Sequence, residues 1–176
     1  MIRSIILALA VLLAPTVLFA EESAASKKPV REENKWSVAG GIGFLADVNS
    51  AGGNSQFLMQ FDGLYSLTNN ISIGATFQVG PASYSSTIAL TADGRFYFPL
   101  GSGDGLLGKI APYAGAGLGF RSYTSDTTDF LFPIIVGVEY DFTRNLSLTT
   151  DMRFNITSGR DRFYYSWQLI GARLRF

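Results

Sequence analysis

The sequence predicts an all-β fold, an eight-stranded antiparallel up-and-down transmembrane β-barrel, and three observations lead to it. Apolar residues recur at every second position from Trp36 onward, which is the spacing of half-buried strands. Turn-rich segments divide this pattern into eight runs, and an even number is typical of barrels in membranes. Aromatic residues gather near both ends of the apolar face, as expected where lipid lies outside.

The first four runs each have one apolar face. The first, residues 36–44, begins its apolar face with Trp36 and ends it with Phe44. The next three, residues 57–65, 71–79 and 88–98, alternate apolar residues with polar ones. The polar residues of these three runs are Gln60 and Asp62, then Ser72, Thr76 and Gln78, then Thr91, Asp93 and Arg95.

The last four runs continue the alternation. The fifth, residues 112–121, sets larger residues against Gly115, Gly117 and Gly119; the sixth and seventh, residues 132–142 and 146–156, carry acids or arginines on the second face. The eighth, residues 167–176, ends on Phe176 in mid-pattern. Counting back from Phe176 puts Ser166 and Gln168 on the apolar face, for which a β-bulge is one explanation. These two residues also keep a soluble secreted barrel open as an alternative.

The connections fall into two sets that alternate along the chain. One set comprises residues 49–55, 80–86, 122–129 and 157–161; the other comprises tight turns at 68–70 and 143–145 and a glycine-rich link at 99–108. Strands that run up and down in sequence place each set at its own end of the sheet.

The apolar face sorts its aromatic residues by height, which favours a bilayer over a soluble core. Trp36 and Phe44 are eight residues apart, or roughly 20 Å of height for strands tilted near 40°, close to the ~25 Å apolar band of membrane barrels. A bilayer also requires closure, because unpaired backbone groups are costly in hydrocarbon. The predicted girdles contain Trp36, Tyr65, Phe98, Phe142 and Phe176 at one end and Phe44, Phe57, Phe120, Phe132 and Phe154 at the other.

The opposite face predicts a polar interior. Side chains just fill the lumen of an eight-stranded barrel, so its acids and arginines are expected to pair there. Asp141 and Arg175 are expected to face water near a rim instead. The predicted interior network is Asp62, Asp93, Arg95, Arg121, Glu139, Asp151, Arg153 and Arg173.

The N-terminal segment precedes the barrel domain, residues 35–176. Residues 1–20 place Arg3 before a short apolar core and end in small residues, which predicts a signal peptide, cut after Ala20 or as late as Ala25. Residues 21–34 have mixed charge and few apolar residues, which predicts a disordered leader. Histidine and cysteine are both absent, so disulfides, a lipid on cysteine and thiolate or histidine catalysis are excluded.

The segments PYAGAGLGF and GVEYDFTRNLSLTTDMRF, the eight alternating runs and the terminal Phe176 resemble a known family. The chain is similar to the small outer-membrane barrels of the OmpA-type transmembrane domain and the opacity-protein-like porin family. The resemblance implies a Gram-negative outer membrane, with periplasmic termini and a periplasmic leader. It also implies that the outer-membrane assembly machinery reads the last strand through Phe176, Leu174 and Ile170.

The function expected from these features is non-enzymatic, with a structural or surface-interaction, adhesin-like role. A narrow gated pore is the alternative, and a lipid-modifying enzyme is less favoured because the usual histidine base is missing. GAGLG and GGIG lie within strands, so neither is a phosphate loop. No catalytic residue, cofactor or metal is expected, and the balance of 14 basic and 14 acidic residues gives no case for nucleic acid.

The expected partners follow from the same resemblance and from the loops. They are outer-membrane lipid and lipopolysaccharide, the assembly machinery, and a host or surface ligand contacted by loop residues. A monomer is expected. The loop residues that suit a contact are Tyr84, Tyr123 and Arg160.

Overall fold

The computed structural model describes residues 35–47, 55–81, 86–98, 100–101, 105–123, 128–158 and 163–176. Its strands form a closed antiparallel barrel in which each strand pairs with the next and β1 pairs with β8. The predicted fold class is confirmed. The strands are β1 (Trp36–Asp47), β2 (Ser55–Ser66), β3 (Ile71–Gly80), β4 (Thr87–Tyr97), β5 (Ile110–Tyr123), β6 (Thr128–Asp141), β7 (Leu146–Thr157) and β8 (Phe163–Arg175).

The alternation of residues along each strand separates the two faces of the wall. In β4, buried and exposed residues alternate over all 11 positions. The exposed positions are apolar, for example Leu90 at 55% exposure, whereas Asp93 and Arg95 point inward and are buried. A soluble barrel would place its apolar face inside, so this orientation excludes the soluble alternative and matches a wall surrounded by lipid.

A bulge in β8 places Ser166 and Gln168 inside the barrel. The register of β8 shifts against both neighbours, and the consecutive residues Leu169 and Ile170 both point outward, at 45% and 55% exposure. The extra residue reverses the alternation in the part of β8 that precedes it in sequence. The expectation that Ser166 and Gln168 would face lipid is therefore wrong. On the outside, the Thr150 hydroxyl donates to the carbonyl oxygen of Gln168 at 2.9 Å.

Two tight turns at the same end of the barrel share one design. The sequences LTNNIS and FTRNLS place Thr68 and Thr143 at equivalent positions. The Thr68 hydroxyl oxygen accepts hydrogen bonds from the N–H groups of Asn70 and Ile71, at 3.3 and 3.0 Å. Thr143 repeats this arrangement with the two residues that follow Arg144, at 3.3 and 3.0 Å. Each threonine therefore satisfies backbone donors that the turn leaves unpaired.

Replacing Thr68 or Thr143 with valine is expected to lower the free energy of unfolding by about 1 kcal/mol, because the isosteric side chain accepts no hydrogen bond. Equilibrium unfolding in urea, with the barrel refolded in detergent micelles, measures the change. Serine at the same positions keeps the hydroxyl and should recover most of the loss. Equal stabilities for the valine and serine variants would contradict the role assigned to the hydroxyl.

The third connection at this end contains a short helix. Residues Leu107–Lys109 form a single 3₁₀ turn that leads into β5. In the ranges given above, no helix is long and apolar enough to cross a membrane. Residues 99 and 102–104 of this connection lie outside the described ranges, as do residues 48–54, 82–85, 124–127 and 159–162 of the other set of connections.

Candidate functional site: the polar interior

The lumen of the barrel is filled by polar and charged side chains. Among the described residues, four acids and five arginines are buried there, each at most 5% exposed. They come from β2 and from β4 to β8, because these strands place charged residues at inward positions of the alternation. The buried charged residues are Asp62, Asp93, Glu139, Asp151, Arg95, Arg121, Arg153, Arg173 and Arg175.

The lower half of the lumen, next to the tight turns, contains one run of ion pairs. Arg173 contacts two acids, with Nη1 2.8 Å from Asp62 Oδ1 and Nε 3.3 Å from Glu139 Oε2. Arg175 pairs with Glu139 and lies 2.8 Å from Asp141 Oδ1. The expectation that Arg175 faces water is wrong, because its guanidinium turns into the lumen toward Glu139. Asp141 keeps 22% of its side chain exposed.

A second run of ion pairs continues from Asp62 into the upper half. Arg95 Nη2 lies 3.4 Å from Asp62 Oδ2 and 3.8 Å from Asp93 Oδ2. Arg153 contacts Asp93 at 2.9 Å and Asp151 at 3.5 Å. Asp62 therefore joins the two runs, and acids alternate with arginines from Asp141 at the rim to Asp151. Each buried acid serves as a counter-ion for at least one arginine.

Neutral residues that the sequence analysis did not single out complete the upper network. The Gln60 amide donates to Asp151 Oδ2 at 3.0 Å and to Gln168 Oε1 at 2.6 Å. The Gln78 amide donates to Gln60 Oε1 at 2.6 Å and to Ser166 Oγ at 3.1 Å. Gln60 and Gln78 were visible as inward positions of β2 and β3, but the bulge concealed Ser166 and Gln168.

Two glycines make room for the Gln168 side chain. A Cβ at Gly41 or at Gly171 would overlap the Gln168 amide. That amide donates to Thr149 Oγ1 at 3.2 Å, so Gln168 links β8 to its neighbour β7. Glycine is therefore needed at these inner positions of β1 and β8, because the Gln168 side chain already occupies the space that a Cβ would take.

Apolar clusters occupy the rest of the lumen. Leu45, Ala89, Leu131 and Tyr164 pack together in the upper part, each at most 2% exposed. Arg121, predicted within the network, lies at this height, with its guanidinium carbon 3.9 Å from the Tyr164 ring centroid. Its strand position is opposite Asp129 on β6. The structure thus joins the other seven predicted residues through side-chain contacts and places Arg121 against an aromatic face.

The aromatic residues of the predicted girdles lie on the outer wall, and none is buried. At the lower end, the Trp36 and Tyr65 ring centroids are 4.9 Å apart. At the upper end, the ring centroids of Phe44 and Trp167 are 5.6 Å apart. The alternation counted back from Phe176 does not predict this contact, because it puts Ser166 and Gln168 rather than Trp167 on the apolar face. Further ring pairs on this wall are Phe96 with Phe98, Phe120 with Phe130, Tyr140 with Phe142, and Phe154 with Phe163.

The sequence profile of the outer membrane protein beta-barrel domain family matches residues 8–176, nearly the whole chain. The chain belongs to this family. The predicted recognition is therefore confirmed, and the wall with apolar residues outside and polar residues inside is that of a family member. A search of curated protein sequences finds no match.

Solved structures with the same fold include three bacterial barrels. Neisserial surface protein A matches with a TM-score of 0.65 and 17% identity, over 80% of this chain and 97% of that one. The N-terminal barrel of Pseudomonas aeruginosa OprF matches with 0.57 and 15%, over 81% and 98%. The attachment invasion locus protein Ail of Yersinia pestis matches with 0.52 and 12%, over 81% and 99%. At these identities the likeness shows the fold alone.

The remaining predicted residues fall into two groups. Phe176, Leu174 and Ile170 lie on the outer wall of the family barrel, at 64%, 54% and 55% exposure, and Phe176 exchanges backbone hydrogen bonds with Trp36 across the closing seam. The predicted signal peptide, residues 1–20, and leader, residues 21–34, lie outside the described residues, as do Tyr84, Arg160 and the side chain of Tyr123.

Proposed function

We propose that this outer-membrane barrel protein is non-enzymatic, with a structural or surface-interaction, adhesin-like role. The observation that carries the proposal is the filled lumen. Its buried acids are paired with arginines, and the upper part is packed with Leu45, Leu131 and Tyr164. Such an interior stabilises a rigid wall and leaves no room for a ligand in the lumen. Other molecules would therefore be contacted at the ends of the barrel, where the connections lie.

The orientation that we propose places both termini and the tight turns at Thr68 and Thr143 in the periplasm. Periplasmic turns are short in this architecture, and loops extend on the cell surface. Tyr84, Tyr123 and Arg160 would then be available to a host or surface ligand. Phe176, Leu174 and Ile170 would present the assembly signal from the periplasmic side. Outer-membrane lipid and lipopolysaccharide would surround the wall. The proposed function requires neither a nucleic acid nor a cofactor.

A narrow gated pore is the second candidate, because Arg173 contacts both Asp62 and Glu139. An exchange of partners among these groups is the movement that would open the lumen. We expect no steady channels from the purified barrel in planar bilayers. Arg173→Ala should stay equally silent, as should the control Arg144→Ala in an exposed turn. Steady channels whose conductance changes in Arg173→Ala alone would favour the pore and contradict the proposal.

Lipid modification is the third candidate, and it is tested separately. Lipid A from cells that express the protein should keep its mass, because the chain has no histidine to serve as base. Mass spectrometry of extracted lipid A, beside cells with an empty vector, measures this. A deacylated product would overturn the non-enzymatic assignment.

A further inference from the structure

A groove crosses the lower outer wall of the barrel. It is a cavity of about 450 Å³ lined by Trp36, Tyr65, Ile73, Gly74, Ala92 and Asp93. The Trp36 and Tyr65 rings, 4.9 Å apart, form the wall of the groove nearest the lower rim. Four of the six lining residues, Trp36, Tyr65, Ile73 and Ala92, lie on the apolar surface that faces lipid, and Gly74 and Asp93 occupy inward positions of β3 and β4. Because the groove is reached from the lipid-facing surface, its occupant is supplied by the membrane.

The register of β2, β3 and β4 explains the shape of the groove. Gly63, Ala75 and Ala92 are partners in one row across these strands. The row above contains Phe61, Phe77 and Leu90, and the row below contains Tyr65, Ile73 and Gly94. The small row therefore leaves a trench about 10 Å long from β2 to β4, at a strand spacing of 4.7–4.9 Å, and Gly94 extends this trench into the row below on β4.

The barrel itself does not require glycine in this trench. A Cβ added to Gly63 would have nothing within 4 Å, and one added to Gly94 would only reach a carbonyl oxygen 4.0 Å away. The inward glycines differ, because a Cβ at Gly74 would overlap the backbone of Gly63. The space beside Gly63 is therefore not filled by other atoms of the barrel, and a molecule that lies against the outer wall can occupy it.

We propose that this groove binds one acyl chain of an anionic phospholipid, whose phosphate lies at Lys35. Lys35 is exposed and directly precedes Trp36, and its carbonyl oxygen accepts the Ser66 N–H at 2.8 Å, which fixes the backbone at the mouth of the groove. A cation beside an aromatic rim suits an anionic headgroup. The inference rests on the membrane location and the proposed orientation, so the conductance and lipid A results do not bear on it.

Quenching of Trp36 fluorescence tests the proposal. Trp167→Phe leaves Trp36 as the single tryptophan of the full-length mature chain. In phosphatidylcholine vesicles, phosphatidylglycerol with brominated acyl chains should quench Trp36 at about fivefold lower mole fraction than brominated phosphatidylcholine, as expected for one lysine near an anionic headgroup. Lys35→Gln should remove this preference. Equal quenching by the two lipids in the parent protein would overturn the proposal.

Leucine substitutions in the groove supply the structural control. Gly63→Leu and Ala92→Leu fill the trench from outward positions of β2 and β4, and both should abolish the selective quenching while the barrel keeps its heat-modifiable migration on gels. Ala172→Leu adds the same bulk to the lipid-facing wall of β8 and should leave the quenching unchanged. Selective quenching that survives in both groove variants would overturn the assignment. So would a cross-linked dimer that Gly63→Leu abolishes, because the occupant would then be a second copy of the chain.

Discussion

Replacing Gly43 with alanine is expected to lower both the fraction of protein that refolds into detergent micelles and the urea midpoint of the refolded barrel. Gly43 lies on the inner face of β1, where the register with β8 shifts. A Cβ at this position would overlap the carbonyl oxygen of Trp167 and come within 2.9 Å of the Gln168 Cα. Both are backbone atoms, so relief requires moving β8 away from β1. Overpacking costs about 1–3 kcal/mol in ordinary cores, and a backbone clash at the closing seam should cost about 3 kcal/mol or more.

The fraction of heat-modifiable barrel on gels and the urea midpoint of that fraction measure this effect. Gly63→Ala is the matched control, because it makes the same change on an outward position of β2 where an added Cβ meets nothing within 4 Å. Gly63→Ala should fold as the parent does. If Gly43→Ala folds equally well, the β1–β8 seam can separate without loss of closure, and the packing reason given for this glycine is wrong.

The residue alternation was sufficient to predict the closed barrel and most of its interior. Asp62 on β2 and Asp93 and Arg95 on β4 alternate with apolar residues, so their inward direction follows from the period of two. Their partners could not be predicted. Arg173 meets Asp62 because of the stagger between strands that are 111 residues apart in sequence, and a closed sheet sets this stagger as a whole.

The upper half of β8 shows where residue counting fails. One extra residue at Leu169 and Ile170 reverses the side-chain direction of every earlier residue of β8. Counting alternate residues back from Phe176 therefore assigns Ser166 and Gln168 to the wrong face. The available signal was the pair of polar residues itself, together with Trp167 between them. Arg175 shows a second limit, because a strand position near the rim does not reveal how far a long guanidinium side chain reaches into the lumen.

Asp62→Asn is expected to lower the free energy of unfolding by about 3 kcal/mol, since two buried arginines each lose a counter-ion and keep only one acid, Asp93 for Arg95 and Glu139 for Arg173. Asp62 joins the upper and lower runs of ion pairs, and both Arg95 and Arg173 contact its carboxylate, at 3.4 and 2.8 Å. Asparagine preserves the shape of the side chain, so packing changes little and the measured loss reports charge. Equilibrium unfolding in urea in detergent micelles gives the value.

Asp141→Asn is the control for this prediction, because Asp141 also contacts an arginine but keeps 22% of its side chain exposed at the rim. Water at Asp141 screens the interaction that is lost, and Arg175 keeps Glu139 as its buried counter-ion, so the expected loss is about 1 kcal/mol or less. A large loss for Asp62→Asn beside a small one for Asp141→Asn indicates a lumen closed to bulk solvent, as a structural role requires. Equal, small losses would mean that water already reaches Arg95 and Arg173, and this result would strengthen the case for the pore.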